Sequence, residues 1–452
     1  ELVGSSGLEY AGDASEIALI QFSSGTTVDS KPVALTHANI LANVAAIDAY
    51  ITEDGAPNPS GVSWLPLYHD MGLIGCLLEA LYRPGSITLI PPEVFLARPV
   101  TWLRAISRRR ATISAAPNFA YGYCTRRIKD EEMEGVDLSS WSLALNGAEP
   151  VTDAVLQRFA DRFARWGFRP SALTPVYGLS EAALAVTFKP VGGRYRTRAV
   201  DADFLARERT VRDGTRPFVS VGRPLAGVEV AIRDSDGRTM PPGATGRIWV
   251  RGPSVMRGYF DRPELTAAAI QDGWLDTGDV GFEDAGELYI CGREKELLII
   301  RGANHAPHDF ETALDGVQGV RAGCVAAVGF TPEQAEGEEL LLLVETEGEA
   351  PTTTDEVAAL ENEIRTRVVE RTGVRPEAIQ LLPPGTLPRT SSGKIRRREA
   401  ARLWSIQELV PPKPVTALRM TLEMARGEWH HLRTALAGPA PDGGDEAEGE
   451  GV

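Results

Sequence analysis

Short apolar runs alternate with stretches of helical period along the first part of the chain. "IALIQF" at 17–22 is followed by a helical pattern after Thr36, a strand-like run at "GVSWL", a helix over 70–82 and "SITLI" at 86–90. This is the rhythm of βα units and predicts a largely parallel sheet. It continues through "ATISAA" at 111–116, a helix over 153–166 and "SALTPVYG" at 171–178. Between 218 and 291 the pattern changes to short runs broken by Gly and Pro, as in "VEVAIRDSDGRTMPPGATGRIWVRG", which predicts an antiparallel meander or small barrel. Past "CGREKELLIIRG" the pattern reads helix (307–316), strand (322–330), strand (338–345), helix (354–371), strand (378–382) and helix (394–403). The expected fold is therefore α/β: a large amino-terminal domain of mixed sheets and helices with a small β-barrel-like part, then a small α+β domain.

The expected divisions are 1–291, 292–405 and 406–452. In the last, "VPPKP" breaks any preceding helix, and Val415, Leu418, Leu422, Ala425, Trp429, Leu432 and Leu436 then recur at spacings of three and four. That stripe suits a helix packed on its own domain or one that docks a partner. The acidic "PAPDGGDEAEGEGV" lacks apolar anchors and is expected to be disordered.

Composition narrows the picture. A chain of 452 residues, 43% hydrophobic, can build a large core and more than one domain. Lys and Arg number 47 against 62 Asp and Glu, a net charge of −15 without a basic stripe, which argues against a nucleic-acid partner. Cys76, Cys124, Cys291 and Cys324 stand far apart, and no His cluster has metal-ligand spacing. Reduced structural thiols and a cytoplasmic location are the expectation. No apolar run is long enough for a membrane span, and "ELVGSSGLEY" lacks a basic region followed by an apolar one. The first residue is not Met, as expected of a fragment or processed chain.

The candidate chemistry starts at "SSGTTVDSKPVALTH", 23–37. It is not a Walker A loop, because only Gly25 precedes Lys31. Backbone N–H groups around Gly25, the hydroxyls of Ser23, Ser24, Thr26 and Thr27, and Lys31 as a mobile cation could still hold a nucleotide's phosphates. On this stretch alone a flexible polar linker fits equally well. Further along stand "NGAEP" at 146–150, "YGLSEA" at 177–182, "WLDTGDVG" at 274–281, "GREKELLIIRGANH" at 292–305 and "LPRTSSGKIRR" at 387–397.

Together these motifs resemble the adenylate-forming superfamily of acyl-CoA synthetases, peptide-synthetase adenylation domains and luciferases. "SWLPLYHDMGLIG", "NGAEPV", "VSVGRPL", "GRIWVRGPSVMRGY" and "RGANHAPHDFE" are most similar to the fatty acyl-AMP ligases. The resemblance covers roughly 15–404 and implies ATP and Mg2+ as cofactors. It implies that Lys394 stabilises charge on the substrate carboxylate and α-phosphate, and that Glu181, with Thr26, holds the metal. By the same resemblance Tyr177 stacks on adenine beside Gly178, and Gly147, Ala148 and Glu149 line it. Asp279 accepts the ribose hydroxyls and Arg293 donates to the same ribose. His69 and Asp70 flank the acyl tunnel mouth, and Lys295 is the hinge on which the small domain swings. Plainer readings stand beside these: a solvated helix-start lysine for Lys394, a surface glutamate for Glu181, a buried strand-end tyrosine for Tyr177, an Asx-turn for Asp279 and a capping histidine for His69. His305, His308, His430 and His431 receive no role.

The sequence departs from the resemblance at Val28, Ser30 and Pro32, where relatives carry Gly, Pro and Gly, and at Arg247, where they carry Glu. Relatives also have a long stretch before the phosphate loop, so an amino-terminal part is expected to be missing and an apolar sheet edge left open. The segment "KPVGGRYRTRAVDADFLARERTVRDGTRPF" sits where fatty acyl-AMP ligases carry an insertion that restrains the small domain and disfavours CoA. The expected reaction is ATP-dependent conversion of a fatty acid to acyl-AMP. The acyl group would then pass to the phosphopantetheine of an acyl carrier protein, or of a polyketide or peptide synthase. An acyl-CoA synthetase and a degenerate, non-catalytic acyl-binding scaffold are the alternatives.

Overall fold

The computed structural model describes residues 12–22, 31–53, 59–83, 85–300, 303–332, 338–348, 353–390 and 393–411. Most of the phosphate loop, from Ser23 to Ser30, lies outside them, as do the stripe from Val415 to Leu436 and the acidic tail. The described residues through Leu409 form one compact unit.

A seven-stranded sheet organises the large lobe. Strands Ser60–Ser63, Ser86–Leu89, Ile113–Pro117, Leu143–Gly147 and Leu173–Gly178 run parallel, and Ala185–Phe188 and Arg223–Pro224 add an antiparallel edge. The central strands are buried on both faces, as the continuous apolar runs demand. Under the sheet lies an aromatic cluster of Trp102, Trp141, Tyr121, Phe159 and Phe163, with Trp64 stacked on Phe95 at 3.9 Å. Strand Ile17–Phe22 pairs only with Pro32–Thr36 among the described residues and leaves Ile17, Ile20 and Phe22 exposed. Pro32 stands at the start of its strand, a place where a missing N–H is tolerated.

Helix boundaries refine the periodicity. The helix expected over 70–82 is Asp70–Gly72, a π-helical Leu73–Leu78 and Glu79–Tyr82. That over 153–166 ends as α at Phe163 and closes with a 3-10 turn before Gly167, whose φ of +84° suits a helix stop. The helix expected over 394–403 starts only at Arg397, so Lys394 is not a helix-start residue.

The 218–291 region is an antiparallel sheet of Glu229–Arg233, Gly246–Arg251, Trp274–Asp284, Ile270–Gln271 and Glu287–Arg293. Hydrophobic cores change over between Leu288 and Leu298: the large core runs from Val33 to Leu288, and separate clusters from Leu298 onward fill the small lobe. Within the small lobe, Val320–Phe330, Glu339–Thr346 and Ala378–Leu382 form a sheet covered by helices Pro307–Ala313 and Thr354–Thr372.

Candidate active site

The parallel strands deliver the site to their carboxyl ends, the usual ligand position in such sheets. Leu143–Gly147 ends in Gly147, where an added Cβ would meet Val176 Cγ2 at 2.7 Å. The next residue, Ala148, has φ +66°. Leu173–Gly178 ends in Gly178, where a Cβ would fall 1.8 Å from the Leu184 carbonyl oxygen. The Ser180–Ala182 turn that follows throws Ala183 to φ +63°. Two alanines at positive φ, Ala148 inside a motif and Ala183 just after one, mark backbone held in costly shapes at one place.

Asp279 and Arg293 face each other across the antiparallel strands. That register, not their separation in sequence, brings them together. Arg293 Nε donates to Asp279 Oδ1 at 2.8 Å, and the Tyr177 hydroxyl donates to Oδ2 at 2.7 Å. Asp279 is buried. Its carboxylate raises the Arg293 pKa, and burial followed by the Asp279 charge pushes the Tyr177 hydroxyl well above its ordinary value. The Asx-turn in this stretch belongs to Asp276, whose Oδ1 accepts from Gly278 N at 3.0 Å, leaving Asp279 free for the site.

Glu181 Oε1 accepts from the Tyr259 hydroxyl at 2.9 Å, and Lys31 Nζ donates to the Tyr259 oxygen at 3.3 Å. Lys31 and Glu181 thus lie at two ends of one short chain of hydrogen bonds. Among the described residues no group of three His, Cys, Asp or Glu could cage a metal ion. A lone carboxylate is what Mg2+ requires when phosphates and water supply its other ligands, so Glu181 fits.

Asp70 is 6% exposed. It accepts from Ser180 Oγ, from Met71 N at 2.7 Å, and lies 2.6 Å from His69 Nδ1. Burial would push its pKa up, but His69, Ser180 and Lys394 outweigh that and hold it below the ordinary carboxylate value. His69 stands at the amino-terminal end of this helix as well as flanking Asp70.

Lys394 comes from the small lobe, on a loop closed by the Arg389–Ile395 bridge and by Thr390 N donating to the Lys394 carbonyl at 2.8 Å. The charges of Asp70, Glu149 and Asp279 favour its ammonium, while that of Arg293 opposes it. Burial lowers its pKa, with Asp70 and Glu149 opposing. Glu149 accepts from Phe119 N, and burial raises its pKa against the pull of Lys394 and Arg397. Arg397 anchors the loop by donating to both Glu311 oxygens, at 2.6 and 2.7 Å, and to Glu296 at 3.0 Å. Lys295 is exposed, and its carbonyl accepts from Arg398 Nη2 at 2.7 Å. Arg247 pairs with Asp276 at 2.5 Å and with Glu294 at 3.1 Å, beside Lys295.

The structure brings together Gly147, Ala148, Glu149, Tyr177, Gly178, Glu181, Asp279, Arg293, Asp70, His69, Lys31 and Lys394. Ser23, Ser24, Gly25, Thr26 and Thr27 fall outside the described residues. Sequence reading assigned no role to Ser180, Tyr259 or Thr277, whose Oγ1 accepts from Asp279 N at 3.1 Å. All three sit inside quoted motifs, Tyr259 as the last residue of "GRIWVRGPSVMRGY", so adjacency was the available signal.

Residues 7–260 match the family described as AMP-binding enzyme. A Caulobacter vibrioides relative provisionally named acyl-CoA synthetase is 38% identical over 84% of this chain and 67% of its own length. The medium-chain-fatty-acid–[acyl-carrier-protein] ligase of Moorena producens is 36% identical over 84% of this chain and 66% of its own. A structure from work on fatty acyl-adenylate ligases of E. coli and L. pneumophila aligns with TM-score 0.79 at 36% identity, covering 86% of this chain and 70% of that one. The fold is that of an adenylate-forming ligase, and the chain belongs to the AMP-binding enzyme family. It spans about two thirds of the length of these two curated relatives.

Proposed function

We propose that the protein activates a fatty acid with ATP to acyl-AMP, releasing pyrophosphate, and passes the acyl group to a phosphopantetheine thiol on an acyl carrier protein. The observation that carries this reading is a small-lobe lysine, Lys394, set among Asp70, Glu149, Asp279 and Arg293 of the large lobe. Attack of a carboxylate on the α-phosphorus needs two anions held together in line, so catalysis rests on positioned cations and donors rather than on a protein nucleophile.

In this reading Lys394 bridges the substrate carboxylate and the α-phosphate, while Asp70 and Glu149 orient its ammonium until substrate arrives. Asp279 accepts the ribose hydroxyls, with Arg293 holding its geometry. Tyr177 and the Gly147–Glu149 segment flank the adenine. Glu181 with Thr26 would hold Mg2+, which would supply charge neutralisation at the phosphates. Lys295 serves as the hinge for withdrawing Lys394 after the adenylate forms.

Support for a carrier-protein acceptor comes from the 189–218 segment. Strands Thr197–Val200 and Arg216–Val219 pair, and helix Ala202–Glu208 between them packs on strand Ala303–His305 of the small lobe. A segment that ties the two lobes supports a carrier protein over free CoA. Mass spectrometry of products from ATP, Mg2+ and a fatty-acid panel tests the reading. Acyl-AMP that persists with CoA but loads a carrier protein is expected. Rapid acyl-CoA formation would make this an acyl-CoA synthetase, and ATP binding without any adenylate would make it a scaffold.

A further inference from the structure

At the amino ends of the parallel strands, away from the candidate active site, lies a cavity of about 220 Å³ that is partly open to solvent. Leu143 on its wall begins the strand that ends in Gly147, about 13 Å further along. Ser171, in the 3-10 turn Pro170–Ala172 ahead of strand Leu173–Gly178, stands beside it. Lys189 follows strand Ala185–Phe188, and Gly192 and Gly193 begin the connection to strand Thr197–Val200.

Among the described residues no carboxylate lines this cavity, although the chain carries a net charge of −15. Two cations do. Lys189 is 4% exposed, and its ammonium is fixed in place by donating to the Ser171 carbonyl at 2.9 Å and the Gly193 carbonyl at 3.0 Å. Arg169 is exposed, and its guanidinium has no partner among the described residues. Gly192 and Gly193 hold φ of +74° and +71°, and neither N–H is hydrogen-bonded among the described residues. Unengaged N–H groups of successive turn residues, set beside a fixed ammonium and an open guanidinium fork, are donors that suit an oxyanion.

We propose that this cavity binds a phosphoryl group, carried as inorganic phosphate or as a small phosphomonoester. Arg169 supplies the forked donor, Gly192 and Gly193 the backbone donors, and Lys189 a fixed positive charge behind them. A carboxylate has two oxygens, too few for the fork, the glycine pair and the Ser171 hydroxyl together, whereas a phosphoryl group offers three or more. The glycine pair lies at the root of the 189–218 segment, so a bound phosphate ties that root to the Arg169–Ser171 stretch of the large lobe. The site stands on its own lining and does not depend on the ligase reading.

The test titrates wild type, Arg169→Ala and Arg169→Lys with inorganic phosphate and with glycerol phosphate by calorimetry, at fixed ionic strength so that screening is constant. Arg169 is exposed, so these variants are expected to fold as wild type does, which urea unfolding checks. Wild type is expected to bind, and Arg169→Ala to weaken binding by about tenfold or more, the effect of losing a hydrogen bond to a charged group. Arg169→Lys keeps the charge without the fork and recovers only part of the loss. Hydrogen exchange locates the ligand: phosphate should slow exchange in peptides covering 169–172 and 189–195, in wild type and not in Arg169→Ala. Tighter binding of either probe supports the site and says whether free or esterified phosphate fills it. Binding of neither probe, an affinity that Arg169→Ala leaves unchanged, or protection confined to residues 23–31 overturns the proposal.

Discussion

The Arg216 guanidinium donates to both carboxylate oxygens of Asp309, with Nη1 2.6 Å from Oδ2, and so ties the 197–219 segment to the small lobe. Asp309 is 9% exposed at its side chain, and breaking a buried pair by removing one partner leaves the other charge without compensation. Arg216→Ala is expected to lower stability by about 2–4 kcal/mol in urea unfolding. If the segment restrains the small lobe, the same variant also forms more acyl-CoA per acyl-AMP than wild type. An unchanged product ratio with reduced stability would leave the pair a purely structural tie.

Lys394→Ala removes the cation that the small lobe contributes, while the backbone bonds of its loop, Thr390 N to the Lys394 carbonyl and Lys394 N to Thr390 Oγ1, remain. Adenylate formation is expected to fall by about a hundred- to thousandfold, the usual effect of deleting a charge-stabilising donor. The unfolding midpoint should not drop, because burial already disfavours the charged lysine. Pyrophosphate release and a thermal scan separate the two. Transfer from preformed acyl-AMP should survive, and its loss in parallel with adenylation would refute a role confined to the first step.

How much of this was legible beforehand follows from how each element gets its partners. The parallel strands announce themselves because burial on both faces demands continuous apolar runs, and Leu143–Gly147 and Leu173–Gly178 stand within a few residues of where their runs place them. Asp279 and Arg293 were nominated separately by their motifs, yet their pairing is a matter of antiparallel register with a bulge at Val280 and Gly281, which composition does not encode. Tyr259 closes a quoted motif, but it reaches Glu181 from 78 residues away, so no local pattern announced that contact. The π-helical turn at Leu73–Leu78 was read as ordinary helix, since its apolar period differs little over so short a stretch. Arg247 had no explanation from sequence; its partners Asp276 and Glu294 come from neighbouring strand ends.

Gly178→Ala tests whether the motif glycine is a matter of space. A methyl group there would sit 1.8 Å from the Leu184 carbonyl oxygen, and backbone is not free to swing aside. Relief requires shifting the Ser180–Ala182 turn, which carries Glu181 and the Asp70 partner Ser180. The variant is expected to lose most adenylation activity and about 1–3 kcal/mol of stability. Full activity by the pyrophosphate assay would show that the turn is not held in one shape.

Glu79 makes stability depend on pH in the direction opposite to most carboxylates. Burial first, and then the Asp48 charge, push its pKa from 4.5 up to about 7, with Arg83 opposing. The folded protein therefore holds a proton that the unfolded chain releases earlier as pH rises. Stability from this group is intact below about 4.5, falls as pH climbs to about 7, and stays lower above that. Glu79→Gln abolishes the dependence, so the variant should match wild type near pH 4.5. At pH 8 it should exceed wild type by about 1–2 kcal/mol, less than full linkage because the side chain is partly solvated. Urea midpoints at the two pH values measure the difference, and a gain of equal size at both would show that Glu79 is charged alike in the folded and unfolded chain.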